Sequence, residues 1–396
     1  MKYMGSKSAL LSGALGEILL HECATADRFV DLFAGSGAVA HFIAQRTEIP
    51  ILTVDLQEYA RILSAAIIER TDSLVGDIVL EEWLATSNAS MAGAKNPIPL
   101  TAELVNAERA KADSFYQGFV TRHYGGHYYS FEQARTLDVL YAELPNSEPQ
   151  RTVALAALLH AASVCAAAPG HTAQPFQPSK KLLPFIEQAW SRSVRDTVRN
   201  AVQRLAPAFA AVKGEARVGD AQSTVPTLGE GDFVFCDPPY SSVQYSRFYH
   251  VLEGIGRGGW AEVSGNGRAP ARTLRKTSEF SMKSKAIAAM KNLLAGLRER
   301  GCRVMITFPD ADASNGLSGQ DIIAMAAEDW TVQPHYIDSV HSTLGGSNDG
   351  TRRGGRKRLR EAVIVLTPRS TVVNVPLAVP GRSEPTAPRR APIVVM

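Results

Sequence analysis

The chain has 396 residues, 45% hydrophobic and 20% charged, with a formal net charge of +3. That composition belongs to a globular protein with material for a sizeable core, and the length suits one large domain or a domain with an insertion. So small a net charge leaves any affinity for nucleic acid to local patches. The four cysteines, Cys23, Cys165, Cys236 and Cys302, lie far apart and form no C-x-x-C pair. A cysteine metal site and a disulfide framework are both disfavoured, no metal is expected, and a reducing cytoplasm fits.

Ala9–Leu20 looks superficially like a signal-peptide core after Lys2 and Lys7, but Glu17 interrupts it, and an amphipathic helix is the better reading. RFVDLF (28–33) reads as a short buried strand, followed by the loop AGSG (34–37) and helical spacing in AVAHFIAQR. ILTVD (51–55) is a second strand and EYARILSAAIIER (58–70) a second helix. This alternation implies a parallel sheet with right-handed crossovers. Residues 85–100 read as a loop. From about 101 to 213 the pattern is mainly helical, with loops at 121–130 and 168–184. Within it, 151–168 is apolar on nearly every face and 180–205 is an amphipathic, basic helix.

Strand character returns in ARVGD (216–220) and DFVFCD (232–237). A helix over 284–301 and a strand over 302–308 follow, then a closing antiparallel pair joined by the basic loop 344–360. The tail from Pro368 is rich in Pro and Arg and predicts disorder. The fold class is thus α/β, with a mostly parallel sheet, an antiparallel C-terminal hairpin and a helical insert. The expected division is 1–84, 85–213 as the insert, 214–367, and 368–396 as the tail.

Two motifs carry chemistry. In DLFAGSG, Gly35 and Gly37 join a strand to a helix and let backbone approach a ligand, and Asp55 at the next strand tip suits a ribose diol. Nicotinamide, flavin and methyl-donor enzymes all use such a loop, and the full G-x-G-x-x-G pattern is absent. In DPPY, the buried strand ends in Asp237, Pro238, Pro239 and Tyr240. The prolines lack N–H donors but keep rigid carbonyl acceptors, and Tyr240 adds a flat ring. Acceptors beside a stacking plane describe a pocket for a planar ring bearing an exocyclic amine.

With those motifs in place, the chain resembles the D12 class (Dam-like) of S-adenosylmethionine-dependent DNA adenine-N6 methyltransferases, with a Rossmann-like methyltransferase sheet. KYMGSK (2–7), DLFAGSG (31–37) and DPPY (237–240) carry the resemblance, in that order along the chain. VDLQEYA (54–60), HYYSFEQARTLDVL (127–140) and QYSRFYHVLE (244–253) are similar to a non-Dam branch of the class.

The resemblance implies that Tyr3 and Lys7 flank the methyl donor, Lys7 reaching its carboxylate. It implies that Asp31 holds the donor's amino group, that Phe33, Gly35 and Gly37 wrap its methionyl part, that Asp55 takes the ribose and that Asp220 bonds the adenine edge. Asp237, Pro238, Pro239 and Tyr240 would act on a flipped adenine, the insert would recognise the target, and a restriction or defence partner is implied. Arg352, Arg353, Arg356, Lys357 and Arg358 are a candidate phosphate-binding cluster. Two other readings stay open: an RNA base methyltransferase acting on guanine-N2 or adenine-N6, although about 200 residues separate the motifs here, and a non-catalytic nucleic-acid-binding protein on the same scaffold.

Overall fold

A computed structural model describes residues 7–84, 99–341 and 357–369, with side chains described except at 339–341 and 357–359. Its sheet contains β1 (Arg28–Asp31), β2 (Ile51–Asp55), β3 (Glu215–Val218), β4 (Asp232–Cys236), β5 (Arg303–Pro309), β6 (Trp330–His341) and β7 (Lys357–Pro368). The spatial order is β3-β2-β1-β4-β5-β7-β6. The first five run parallel, while β7 lies antiparallel to both β5 and β6. This is the expected Rossmann-like sheet with an antiparallel C-terminal hairpin.

Alternation along each central strand feeds two cores. Val30, Val54, Val234 and Ile306 pack against the helix Ala286–Glu299 on one face. Phe29, Ile51, Phe233 and Met305 pack on the other, against the helices Ala14–Cys23, Ala38–Ala44 and Glu58–Ile68. Burial on both faces is why these strands read as unbroken apolar runs. All four cysteines are buried and free, and each behaves as a small core residue.

A third apolar cluster joins the insert to the sheet layer. The helix Gln150–Cys165 is buried along most of its length, and with Val194–Leu205 it packs against residues of Glu58–Ile68 and of His250–Arg257. The insert is therefore seated on the helix that follows β2.

Several boundaries differ from the sequence reading. The single helix expected over 180–205 is two, Leu183–Trp190 and Val194–Leu205, because Ser193 turns out of the helix and caps the second by accepting from Asp196 N. The loop expected over 121–130 begins later, because Phe119–Tyr124 form a short helix whose first amides donate to Asp138. The closing hairpin is longer than expected, since β7 begins at Lys357 and pairs with His341. That shortens the basic loop expected over 344–360. At the N-terminal side the helix is Ala14–Cys23, starting after Gly13. Most of the 85–100 loop and the tail beyond Arg369 fall outside the described residues.

Candidate active site

Strand order reverses between β1 and β4, and in a parallel sheet the crevice outside the carboxyl ends of such strands is where ligands bind. A cleft of about 970 Å3, open to solvent, lies there. Its walls include Asp31, Phe33 and Gly35 after β1, Asp55 and Gln57 after β2, Asp220 after β3, and Asp237, Pro239 and Tyr240 after β4. Lys7 lies at its edge. Eight of the expected donor-site and catalytic residues are cleft neighbours besides Lys7: Asp31, Phe33, Gly35, Asp55, Asp220, Asp237, Pro239 and Tyr240. Gly37 and Pro238 do not line it.

Backbone geometry explains the loop after β1. Gly35 (φ 51°) and Gly37 (φ 73°) both adopt left-handed conformations. A Cβ at Gly37 would also come within 3.0 Å of the His41 ring and 3.1 Å of the Ser64 hydroxyl. Gly37 thus serves the turn and the packing of the following helix. Asp55 braces the same loop: its carboxylate accepts from Gly35 N and Gln57 N, both at 2.9 Å. Two lone-pair directions remain for a ligand. Burial pushes the Asp55 carboxyl up to about 6 against these two amides.

Asp31 is more deeply set. It accepts from Phe33 N at 3.1 Å, and burial, with the charges of Asp237 and Asp55, pushes its carboxyl up to about 8. Phe33 is held edge-on to Phe280, with ring centroids 5.1 Å apart. Asp220 is partly committed, since its side chain caps the short helix that follows β3 by accepting from Gln222 N and Ser223 N.

Asp237 sits in an ion network that the sequence did not reveal. The Lys7 ammonium is 2.9 Å from Asp237 Oδ1 and 2.5 Å from Glu361 Oε1. Thr307 donates its hydroxyl to the same Oδ1 at 2.9 Å. Lys7 is 4% exposed. Burial alone would lower its ammonium, but Asp237 and Glu361 more than offset this and raise it above the ordinary lysine value. Burial, with the Glu361 charge, raises the Asp237 carboxyl despite Lys7. The expected partner of Lys7 was a ligand carboxylate, whereas here two protein carboxylates share it. Both bonds to Asp237 fall on Oδ1, and among the described residues Oδ2 accepts from none.

The rest of the motif is rigidly held. Asn315 donates Nδ2 to the Pro239 carbonyl and to the Phe280 carbonyl, each at 3.0 Å. Tyr240, its phenol pushed up to about 12 by burial, packs edge-on to Phe308 and hydrogen-bonds Tyr245. The segment after the motif locks onto the helix Glu58–Ile68. Glu253 Oε2 accepts from Tyr59 N at 3.2 Å, and the Tyr59 and Tyr249 rings lie 5.6 Å apart.

Thr307 and Glu361 were missed because each sits on a strand that pairing, not the sequence, brings to the DPPY tip, and Asn315 because it lies in the loop after β5. Pairing of Cys236 with Ile306 sets Thr307 beside Asp237. Pairing of Pro309 with Glu361 brings the acid in from β7. Gln57 was also missed: it is 4% exposed, and its Oε1 has no hydrogen-bond partner among the described residues. Tyr3 and Arg352, Arg353 and Arg356 fall outside the described residues. Lys357 and Arg358 start β7, opposite His341 and Val340.

The family model for the D12 class N6 adenine-specific DNA methyltransferases matches residues 3–91 and 156–297, more than half of the chain. The chain is 23% identical over 400 residues to "Modification methylase LlaI" of Lactococcus lactis subsp. lactis, covering 98% of this chain and 58% of that protein. It is 23% identical over 306 residues to "Modification methylase StsI" of Streptococcus sanguinis, covering 75% of this chain and 42% of that protein. The chain spans about half the length of these curated relatives. With a family match of that extent and a sheet of the matching kind, the chain belongs to the D12 class N6 adenine-specific DNA methyltransferases.

Proposed function

We propose that this protein transfers the methyl group of S-adenosylmethionine to the exocyclic N6 of adenine in a specific DNA sequence, within a restriction–modification or phage-defence system. One observation carries the reading: the glycine loop with Asp55 and the DPPY tip line one cleft at the switch point of the sheet.

Two features fit the donor. Gln57 lines the cleft, and its buried Oε1, which has no hydrogen-bond partner among the described residues, is an acceptor that a ligand N–H or O–H would satisfy. Four carboxylates, Asp31, Asp55, Asp220 and Asp237, line the cleft against two ammonium groups, Lys7 and Lys276, so the balance of groups favours a cation. When bound, the donor supplies an electrophilic methyl on a sulfonium. Asp31 would hold its amino group, Asp55 its ribose hydroxyls and Asp220 its adenine edge, with Phe33 and Gly35 along the methionyl part.

The adenine amine is a poor nucleophile, and its N–H is far too weakly acidic for a carboxylate to remove in advance. Asp237 therefore acts as an acceptor. Lys7 and Thr307 fix its Oδ1, which leaves Oδ2 to accept one N–H of the amine. That bond orients the nitrogen lone pair. Once methylated, the nitrogen is cationic and sheds a proton, with Asp237 the adjacent acceptor. Tyr240 stacks on the extruded base. Extrusion from a duplex costs a few kcal/mol, of which stacking returns about 1–3 kcal/mol.

The test is expression in a host without adenine methylation, followed by sequencing of its DNA for modified bases. Methyladenine at one short motif is expected, and unmodified DNA with methylated ribosomal RNA would overturn the assignment. Asp237→Ala is expected to abolish turnover while donor affinity stays within about tenfold.

A further inference from the structure

We infer that the strap formed by residues 267–278, together with Arg247, is a phosphate clamp that grips the duplex at the mouth of the cleft. The inference rests on the DNA substrate proposed above and names a surface for it.

The strap is pinned at both ends to the segment that follows DPPY. At its start, the Gly267 carbonyl faces His250 Nε2 at 2.9 Å and accepts from the Tyr128 hydroxyl at 2.8 Å. At its end, Gln244 and Ser278 exchange two hydrogen bonds, Gln244 Nε2 donating at 3.0 Å and Ser278 N donating at 2.7 Å. Two residues further on, Asn315 ties the Phe280 carbonyl to that of Pro239. Any load on the strap is thus borne by the catalytic tip itself.

Between those pins the sequence GRAPARTLRKTS holds four cations and no acid. Arg268 is spent on structure, since it donates to the carbonyls of His123 and Arg122. Arg272, Arg275 and Lys276 form no ion pair among the described residues, and neither does Arg247 on the adjoining turn. Arg247, Arg272 and Lys276 are exposed, and Lys276 also lines the cleft.

Arg275 is half-buried, and its Nε has no hydrogen-bond partner among the described residues. Burial first, then the like charges of Arg247 and Arg272, hold Arg275 below the ordinary guanidinium value. Like charges gathered without counter-ions are a cost that a bound polyanion would remove. Leu274, 52% exposed between them, would find cover against sugar or base edges. An arginine fork suits phosphate, and Lys276 and Ser278 of the strap line the same cleft as Asp237 and Tyr240, so the phosphates gripped are those flanking the extruded nucleotide.

The test compares wild type with Arg247→Ala/Arg272→Ala, two exposed residues outside the cleft lining, by fluorescence anisotropy on a labelled short DNA duplex across a NaCl series. The slope of log affinity against log salt is expected to fall by about 2, near 0.9 per lost phosphate contact, with affinity at least about tenfold weaker at low salt. Arg247→Lys/Arg272→Lys keeps the slope, and calorimetric affinity for S-adenosylmethionine is unchanged in both variants. An unchanged slope in the alanine variant, while wild type binds the duplex, overturns the clamp and leaves the proposed function standing. A wild type that does not bind duplex DNA overturns both. A variant that weakens binding to an RNA hairpin but not to the duplex also overturns the clamp on DNA.

Discussion

Asp31 is where a single residue most directly reports on the ligand. Its carboxyl is pushed up to about 8, by burial first and by Asp237 and Asp55 second. A carboxyl so raised keeps its proton near neutral pH when no donor is bound, and a cationic group placed against it would drive the proton off. Binding of the donor is therefore coupled to proton release, and affinity must rise with pH until the unbound carboxyl is ionised on its own. Between pH 6.5 and 8 the dissociation constant of S-adenosylmethionine is expected to fall by up to about tenfold per pH unit and to level off above about 8. Calorimetry in buffers of different ionisation heat checks both the slope and the released proton. Asp31→Asn should flatten the profile, and a wild-type affinity independent of pH over that window would remove Asp31 from the donor site. Stability has its own sign. A folded value near 8 against an ordinary 3.8 contributes stability that is present below about pH 4 and is lost as pH rises towards 8. Asp31→Asn should then melt higher than wild type at pH 8 and no higher at pH 4. The position of Asp31 in DLFAGSG was legible; its protonation was not, because that depends on Asp237, which lies 206 positions later in the sequence.

At the scale of elements, the surroundings of the DPPY tip are assembled by strand pairing. The β4–β5 register sets Thr307 beside Asp237, and the antiparallel β5–β7 register supplies Glu361 to Lys7. Thr307 does not line the cleft, so it works by holding Asp237 Oδ1 and is a positioning residue. Thr307→Val keeps the shape of the side chain and removes only the donated hydrogen bond. It is expected to lower kcat by about tenfold, matching the ~1.5–3 kcal/mol of a hydrogen bond to a charged group at its lower end, with donor affinity unchanged. Thr307→Ser should restore most of the rate. Equal loss in the valine and serine variants would indicate packing in place of the hydroxyl. The motifs at the strand tips were legible because DLFAGSG and DPPY each compress a strand end and its ligand contacts into a few neighbours. Thr307 and Glu361 were not, since CRVMITF and REAVIVL read as apolar strands whose partners only the sheet order reveals. The missed break at 191–193 has a different cause: the apolar period continues across it, and Ser193 ends it through a capping bond that periodicity does not register.

For the whole molecule, the informative feature is that the insert shares a core with the donor-site half. Trp83 is fully buried, donates its indole N–H to the Leu140 carbonyl at 2.9 Å, and belongs to the same cluster as Tyr59, Leu158 and Leu252. Those residues come from stretches that a reading along the chain assigns to three successive segments. Composition could show that 101–213 is helical and that one helix in it is apolar all round. It could not show that this helix is covered by Glu58–Ile68 and by the segment after DPPY. Insert and catalytic segment should then unfold together. Trp83→Ala removes a large side chain from their common cluster and is expected to cost about 3–5 kcal/mol. Calorimetry should show one transition displaced to lower temperature, with donor binding and the insert's helical signal lost in parallel. Trp83→Phe, which keeps the ring but not the N–H, should shift it less. Two separate transitions in the alanine variant, with donor binding surviving the first, would mean that the insert is held to the sheet more loosely than its buried contacts require.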